Sequence, residues 1–344
     1  MTGSPRLLQV CNVGTIVGGT GACAWSVTRS LPGWEHVVAC FGPWSAESRR
    51  WFAGVELTQI DVLTSSLVRQ ARADVVLLHN TPVARVTEEL PVPTLSYVHS
   101  RCRFVSGDRT LACSRWLADQ LRGRVEGVLY QGVPRPPRDE VNEDARDRGD
   151  FVVGRICTPT VAKWPREALE LTADLAKRFP EVRWELVGCP NGQRTAWNLA
   201  TRGRVTFWEA SWEARRHFWR WHAFVYHNPA VTETFGRTVA EAMRAGCVPI
   251  VDDRGGFREQ VENGTGFLRR TEGDFAEALE CLQSRDDWRV VSNAAMLRAN
   301  ERFSLERFGG ELLREFALAA EARRRRVMSC GEALPVGSRL RGVG

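Results

Sequence analysis

Two carboxylates, Glu233 and Glu241, flank the run Thr-Phe-Gly-Arg-Thr-Val-Ala, where a polar loop passes into a helical pattern. Gly246 and Pro249 close that pattern before an apolar stretch. The sequence predicts a helix starting near Gly236, and the first turn of a helix leaves backbone N–H groups without intrahelical partners. Such a start is a ready site for anions. Glu233 falls in the loop ahead of it, and Glu241 roughly a turn and a half inside. Carboxylates on either side of an anion site can accept hydrogen bonds from ligand hydroxyls, sugar and ribose hydroxyls among them, with a diphosphate between. Spacing alone would equally suit an amphipathic helix with two solvated glutamates. The whole string, with its downstream glycine and proline, argues for chemistry.

The elements that must position these residues follow from hydrophobic pattern. At 344 residues, 43% hydrophobic and 26% charged, the composition is that of a globular chain. Single cores stop growing near about 250–300 residues, so two domains are expected. Short apolar runs alternate with helical patterns, which argues for parallel sheets with crossover helices. Strands are expected at 7–13, 36–41, 75–79, 94–98, 110–112 and 128–130, with helices at 21–31 and 114–121, the second capped by Ser114. The segment Val133-Pro-Arg-Pro-Pro-Arg138 and the charged stretch 139–150 lack period and core residues and read as a linker. Strands resume at 151–157, 184–187, 205–207, 224–227 and 248–251. Ligands of such domains gather at the carboxyl ends of the strands.

At Glu233–Ile250 the chain resembles the retaining glycosyltransferases of family 4, which have the GT-B fold. Their fingerprint is usually Glu-Gly-Phe-Gly…Glu-Ala-Met-Ala-x-Gly-x-Pro-Val; here Thr234 stands at the usual Gly and Arg244 at the usual Ala. Asp252-Asp-Arg-Gly-Gly-Phe-Arg-Glu259, then Glu262-Asn-Gly-Thr-Gly-Phe-Leu268, is similar to the family's next motif, and Val187-Gly-Cys-Pro190 to its Val-Gly-x-Gly-Pro. The resemblance covers most of 151–316 and is diffuse over the first 130 residues. It implies an α/β GT-B architecture, with two Rossmann-like doubly wound domains facing across a cleft. The expected domains are 1–138 on the acceptor side and 139–303 for the nucleotide sugar. A helix at about 304–326, capped by Ser304, would return to the first domain, and a disordered tail would occupy 331–344.

The resemblance further implies a retaining transferase that moves a hexosyl unit from a UDP- or GDP-sugar to a glycan, lipid or small-molecule acceptor. Glu233 would hold donor-sugar hydroxyls and Glu241 the ribose, with Phe235 at the donor and the amides near Gly236 and Arg237 on the diphosphate. Breaking a glycosyl–phosphate bond leaves charge on the departing group, and fixed cations aimed there lower the barrier. Arg155 and Lys163 are the clamp this implies, although they lie eight residues apart where the family has about five. In the first domain, Gly18-Gly19 would let the loop after the first strand approach donor phosphates and acceptor. His99, at the family's Val-His position, would contact the donor sugar or the acceptor. His79 is similarly placed one strand earlier. No bound metal and no cofactor are expected, the nucleotide sugar being a substrate. Two alternatives are an idle GT-B module that binds sugar nucleotide or glycan, and a GT-B epimerase acting on a UDP-sugar.

The remaining features bound this reading. A formal charge of +6 suits an anionic substrate or weak attraction to an acidic membrane face and does not call for nucleic acid. No apolar run approaches the roughly 18 residues of a membrane span, and the start lacks a signal-peptide layout, so a cytoplasmic protein, with weak peripheral contact at the inner membrane face, is expected. Ten scattered cysteines without Cys-x-x-Cys read as reduced, buried residues. His217 and His222 offer weak metal spacing, and the tryptophans at 208, 212, 219 and 221 are expected to be helical core. Arg323–Arg326 is read as a solvated helix end in preference to a lipid-headgroup patch.

Overall fold

The computed structural model describes residues 3–138, Arg146 and 149–329. It comprises two compact units: the chain up to Gly132 together with the segment from Leu305, and Val133–Ser304. Residues 139–145 and 147–148 of the expected linker, and the tail 331–344, lie outside the described residues.

The first unit alternates strand and helix: β1 (Arg6–Cys11), α1 (Gly19–Ser30), β2 (Glu35–Cys40), α2 (Ala46–Trp51), β3 (Glu56–Gln59), α3 (Ser65–Gln70), β4 (Val75–His79), β5 (Thr94–Val98), β6 (Arg109–Ala112), α4 (Arg115–Gln120) and β7 (Gly127–Val128). The sheet is parallel in the order β3-β2-β1-β4-β5-β6-β7, so the strand order reverses at β1/β4. Strands β4 and β5 are buried end to end, which explains their continuous apolar runs. Strand β3 escapes the hydrophobic pattern because Glu-Leu-Thr-Gln lies at the sheet edge with no residue fully buried. Ser114 caps α4, its hydroxyl accepting from the Leu117 N–H at 3.1 Å.

In the second unit follow β8 (Val152–Ile156), α5 (Arg166–Arg178), β9 (Arg183–Val187), α6 (Arg194–Ala200), β10 (Val205–Trp208), β11 (Ala223–Tyr226), α7 (Arg237–Arg244), β12 (Val248–Asp252), α8 (Phe257–Gln260), β13 (Phe267–Arg269), α9 (Glu272–Cys281) and α10 (Arg285–Phe303). Its parallel sheet runs β10-β9-β8-β11-β12-β13, again reversing beside the first strand. The Pro-rich segment after Gly132 belongs to this unit and is not free of the core. Val133 is buried and donates its N–H to the Phe303 carbonyl at 2.9 Å, while Trp219 Nε1 donates to the Pro136 carbonyl at 3.0 Å. Prolines hide such packing from pattern reading, because they accept hydrogen bonds without donating any. Arg244, at the family's usual Ala, donates to the Val133 carbonyl and to Asn300 Oδ1, tying this segment to α7 and α10.

The tryptophan-rich stretch is a 3-10 turn, Glu213–Trp219, and not an α-helix. Trp212, Trp219 and Trp221 are buried as expected, with Trp208 partly so. Trp221 lies flat on Gly154, where any Cβ would strike its indole ring, and donates Nε1 to Glu185 Oε2 at 2.8 Å. His222 has both ring nitrogens committed, Nδ1 accepting from the Val152 N–H and Nε2 facing the Arg146 carbonyl. His217 stacks on Trp208 with ring centroids 4.6 Å apart. These two histidines are packing elements.

Helix α11 (Leu305–Ser329) packs within the first unit on α1, β5 and β6. Gly309 presses on the Ser30 carbonyl, Phe316 meets Trp34 at 5.6 Å, and Glu315 pairs with Arg109. Its basic end is tied down. Arg326 binds Asp108 at 2.8 Å and Glu89 at 2.7 Å, Arg325 pairs with Glu321, and Arg324 reaches the Ala320 carbonyl at 3.3 Å. Arg323 and Arg326 thus tie the helix end to Asp108 and Glu89, while Arg324, Arg325 and Arg326 stay exposed, as a solvated helix end would.

Candidate active site

The loop that carries Glu233 leaves β11 and is fixed from below by β12 and its following turn. Asp252, at the end of β12, accepts from the Asn228 N–H at 2.7 Å and holds His227 Nδ1 at 2.6 Å. Asn228 Oδ1 then accepts from the N–H groups of Ala230 and Val231, at 3.1 and 2.9 Å, which starts the turn. Gly255 and Gly256 come so close that a Cβ on either would collide with the backbone of 233–235, and Gly256 N–H donates to the Glu233 carbonyl at 2.9 Å. Gln260 Nε2 reaches the carbonyls of Phe235 and Gly236. The double glycine thus serves close approach of two loops.

Glu233 is the centre of this arrangement. One oxygen, Oε1, takes both the Lys163 ammonium and the Tyr226 hydroxyl, the latter at 2.7 Å. Among the described residues Oε2 has no protein donor, and the side chain keeps 22% of its surface exposed. Burial, then the neighbouring carboxylate, push the Tyr226 hydroxyl far above its usual range, so it stays a proton donor. The long gap from Arg155 to Lys163 is absorbed by a 3-10 turn, Val161–Lys163. Asn228 Nδ2 holds the Ala162 carbonyl at 2.8 Å and Arg155 the Lys163 carbonyl at 2.8 Å. Arg155 itself is buried, with its guanidinium over Trp164 and Tyr226 at 5.2 and 4.8 Å and a further bond to the His227 carbonyl at 3.3 Å. It braces the loop that aims Lys163. Cys157 and Cys189 lie near these cations, yet burial raises both thiols, Cys189 to about 11, which leaves them poor nucleophiles.

Helix α7 starts as expected. Gly236 is its N-cap at φ 88, a left-handed conformation, and a Cβ there would run into the Phe257 ring. As a glycine it has no side chain with which to cap the helix, and the first turn carries no acidic residue. Phe235 points into the core against Phe303, with ring centroids 5.6 Å apart, so its side chain anchors the loop and is not presented to a ligand. Glu241 lies inside α7, where its spacing places it. It is 0% exposed, with Oε2 accepting from Arg215 Nε at 3.0 Å and Oε1 from the Arg237 guanidinium at 3.4 Å. Arg215 lies over the Trp212 ring at 3.9 Å.

In the first unit, Gly18 is the uncapped N-cap of α1, and neither it nor Gly19 meets an obstacle a side chain would strike. The glycines that sterics require are Gly14 and Gly21, whose Cβ atoms would hit the Pro43 and Thr15 carbonyls. His99 is not open. Its Nε2 pairs with His79 Nδ1 at 2.9 Å and its Nδ1 with Gln131 at 3.0 Å, while His79 Nε2 meets Gln9 Oε1 at 3.0 Å. Cys23 joins His79 and His99 in a group close enough for metal ligation, but the ring nitrogens already satisfy one another. Burial lowers His79 to about 3, so it is neutral at ordinary pH.

The structure therefore brings Lys163 and Glu233 together with Arg155 behind them, and places Glu241 and Arg237 in a separate buried contact. Tyr226 and Arg215 escaped the sequence reading. Tyr226 left a signal as the polar last residue of an apolar strand, whereas Arg215 is one of several arginines in an aperiodic stretch.

Two Rossmann-like units with parallel sheets define the GT-B architecture, and solved structures agree. A glycosyltransferase from Rickettsia africae is similar at TM-score 0.73 and 14% identity, covering 92% of this chain and 99% of that one. Anabaena Alr3699/HepE in complex with UDP and glucose is similar at TM-score 0.70 and 18% identity, covering 90% and 99%. Residues 151–285 match the family described as glycosyl transferases group 1. A sucrose synthase of Acidithiobacillus caldus is 33% identical over 97 residues, which are 26% of this chain and only 12% of that protein's length.

Proposed function

We propose that the protein is a glycosyltransferase that moves a hexosyl unit from a nucleotide-diphosphate sugar, with retention, to a glycan, lipid or small-molecule acceptor. The observation that carries this reading is Glu233, where two donors converge on Oε1 while Oε2 is left for ligand hydroxyls, inside the group 1 domain. UDP and glucose in the Anabaena neighbour support a UDP-sugar as the first donor to test.

In the proposed reaction the bond between the sugar's anomeric carbon and the phosphate oxygen breaks, and its electron pair leaves with the diphosphate. The acceptor oxygen bonds to that carbon on the same face, and its proton passes to the departing phosphate. Lys163 and the start of α7 meet the charge that develops, and Arg155 keeps Lys163 aimed. No protein base is assigned, and no step is routed through a metal. Glu233 contributes by orienting the sugar.

Thermal-shift screening against UDP-, GDP- and ADP-sugars, followed by donor turnover with and without added acceptors, tests the proposal. A stabilising nucleotide sugar whose sugar is transferred supports it. Binding without turnover favours a recognition module, and inversion of the sugar without transfer favours an epimerase.

A further inference from the structure

As the chain leaves β5 at the carboxyl end of the first unit's sheet, it carries two exposed cations, Arg101 and Arg103. Among the described residues neither meets a carboxylate. The loops on that edge explain why. Residues 12–18, 41–45, 80–84, 99–107, 113–114 and 129–132 include these two arginines and no aspartate or glutamate. The loop after β3 holds Asp61, but β3 stands four strands from β5, about 19 Å across the sheet. Arg115, the first residue of α4, adds a third cation just past the end of the neighbouring β6.

The segment that bears the pair is held at both ends. Asn80, at φ 51, takes a left-handed conformation that asparagine tolerates better than most residues. Its Oδ1 accepts from the His99 N–H at 2.7 Å and from the Cys102 thiol at 3.8 Å, and its Nδ2 donates to Ser100 Oγ at 3.1 Å. Beyond the pair, Phe104 is buried beneath the Arg124 guanidinium at 4.4 Å, and Val105 N–H donates to the Thr81 carbonyl at 2.9 Å. Two like charges one residue apart on a tethered loop repel each other, and an anion bound by both relieves that repulsion. Ligands of parallel sheets gather at this end of the strands.

We propose that Arg101 and Arg103 select an acceptor that carries an anionic group, a phosphate or a carboxylate, and hold it by that group. The inference rests on the nucleotide-sugar reading and on the first unit as its acceptor side. It narrows the acceptor to acidic molecules and sets neutral glycans aside.

The experiment follows backbone amide resonances of the full chain while matched sugars are added: glucose 6-phosphate against glucose, and galacturonate against galactose. The amides of residues 99–104 should shift with at least one charged sugar, bound about tenfold or more tightly than its neutral partner. Which of the two binds tells phosphate from carboxylate. Raising NaCl to about 0.5 M should weaken that binding severalfold, because exposed charges are screened. In R101Q/R103Q the charged and neutral members should bind within about twofold of each other, and both side chains are exposed, so the variant should fold. With the nucleotide sugar found by thermal shift, KM for the charged acceptor should be about tenfold below that for its neutral partner.

The proposal is overturned if neither charged sugar moves residues 99–104, or if their only effect is around Lys163. It is equally overturned if neutral sugars bind as well, or if the preference survives R101Q/R103Q. The titrations contain no nucleotide, so the two readings fail separately. Charged sugars bound at 99–104 in a chain that neither binds nor turns over any nucleotide sugar would sink the donor reading, and with it the acceptor role, while the anion site stood.

Discussion

Two polar clusters lie at carboxyl ends of parallel strands, one in each unit, and they are built on opposite plans. In the first unit Gln9, His79, His99 and Gln131 form a row in which each ring nitrogen faces a partner, with the buried Gln9 amide nitrogen left over at its end. The pattern is self-consistent: the Gln9 carbonyl oxygen requires a proton on His79 Nε2, so His79 Nδ1 accepts from His99 Nε2, and His99 Nδ1 accepts from Gln131. In the second unit Glu233 concentrates its partners on one oxygen and leaves the other without a protein donor. A row whose ring nitrogens are all engaged adds stiffness and specificity to a core. A carboxylate gripped on one side is held ready for something else. The contrast separates structural polarity from functional polarity more sharply than residue type does, since histidine is ordinarily the more suspect of the two.

The largest expected effect is at Glu233. Replacing it by Gln keeps the shape but removes the charge that aligns Lys163 and the ligand, and donor turnover should fall by about 10²–10³-fold. The melting temperature should hardly move, because the side chain is partly exposed. A variant that turns over donor at the parental rate would erase the contrast between the clusters. Next comes the hinge of the open cluster. Gly236→Ala forces a side chain into a left-handed conformation and against Phe257, and should cost about 3 kcal/mol in urea unfolding. A loss below about 0.5 kcal/mol, the range of ordinary surface changes, would show that the loop relaxes freely.

These two positions were legible before any coordinates, and the reasons are instructive. Gly236 and Glu233 sit in a contiguous string where local geometry and chemistry coincide. The sheet strands were readable to within a residue or two because parallel strands buried on both faces are continuous apolar runs, as at Val75–His79. Strands β3 and β13 and the packed Pro-rich segment were not, the strands being short edge pieces with no residue fully buried and the segment lacking period. Partnerships were the least visible. That Glu241 would meet Arg215, 26 positions earlier, or that His99 would be closed off by His79 and Gln131, depends on which strands become neighbours. Spacing along the chain carries no such information.

The histidine row has its own signature in pH. His79 is wholly buried, and its value of about 3 lies below the ordinary 6.5 of an unfolded chain. The unfolded state therefore binds a proton that the folded state refuses. The stabilisation this gives is fully present above pH 6.5 and is lost as pH falls towards 3. Between pH 7 and 5 a single such histidine withdraws about 2 kcal/mol of stability. H79Q, which cannot titrate, should lose about 2 kcal/mol less over the same interval in urea melts. Parallel pH dependences for the two proteins would mean that His79 protonates in place and that the row is open.

The smallest effect tests the open cluster most finely. Tyr226→Phe deletes one donor to Glu233 Oε1 and leaves Lys163 on the same atom. The ring would stay in its aromatic setting, edge-on to Phe257 at 5.3 Å and beneath the Arg155 guanidinium, so the fold has no reason to change. One hydrogen bond to a charged group, with a second donor still present, is worth about 1 kcal/mol here, or about fivefold. That loss should fall on KM for the donor while kcat holds, because Tyr226 fixes the carboxylate before the sugar arrives and touches no reacting atom. If the melting temperature drops along with affinity, the hydroxyl belongs to the architecture, as the histidines do. If kcat alone falls, Tyr226 acts on the transition state, and the division between a gripped oxygen and a presented one would have to be redrawn.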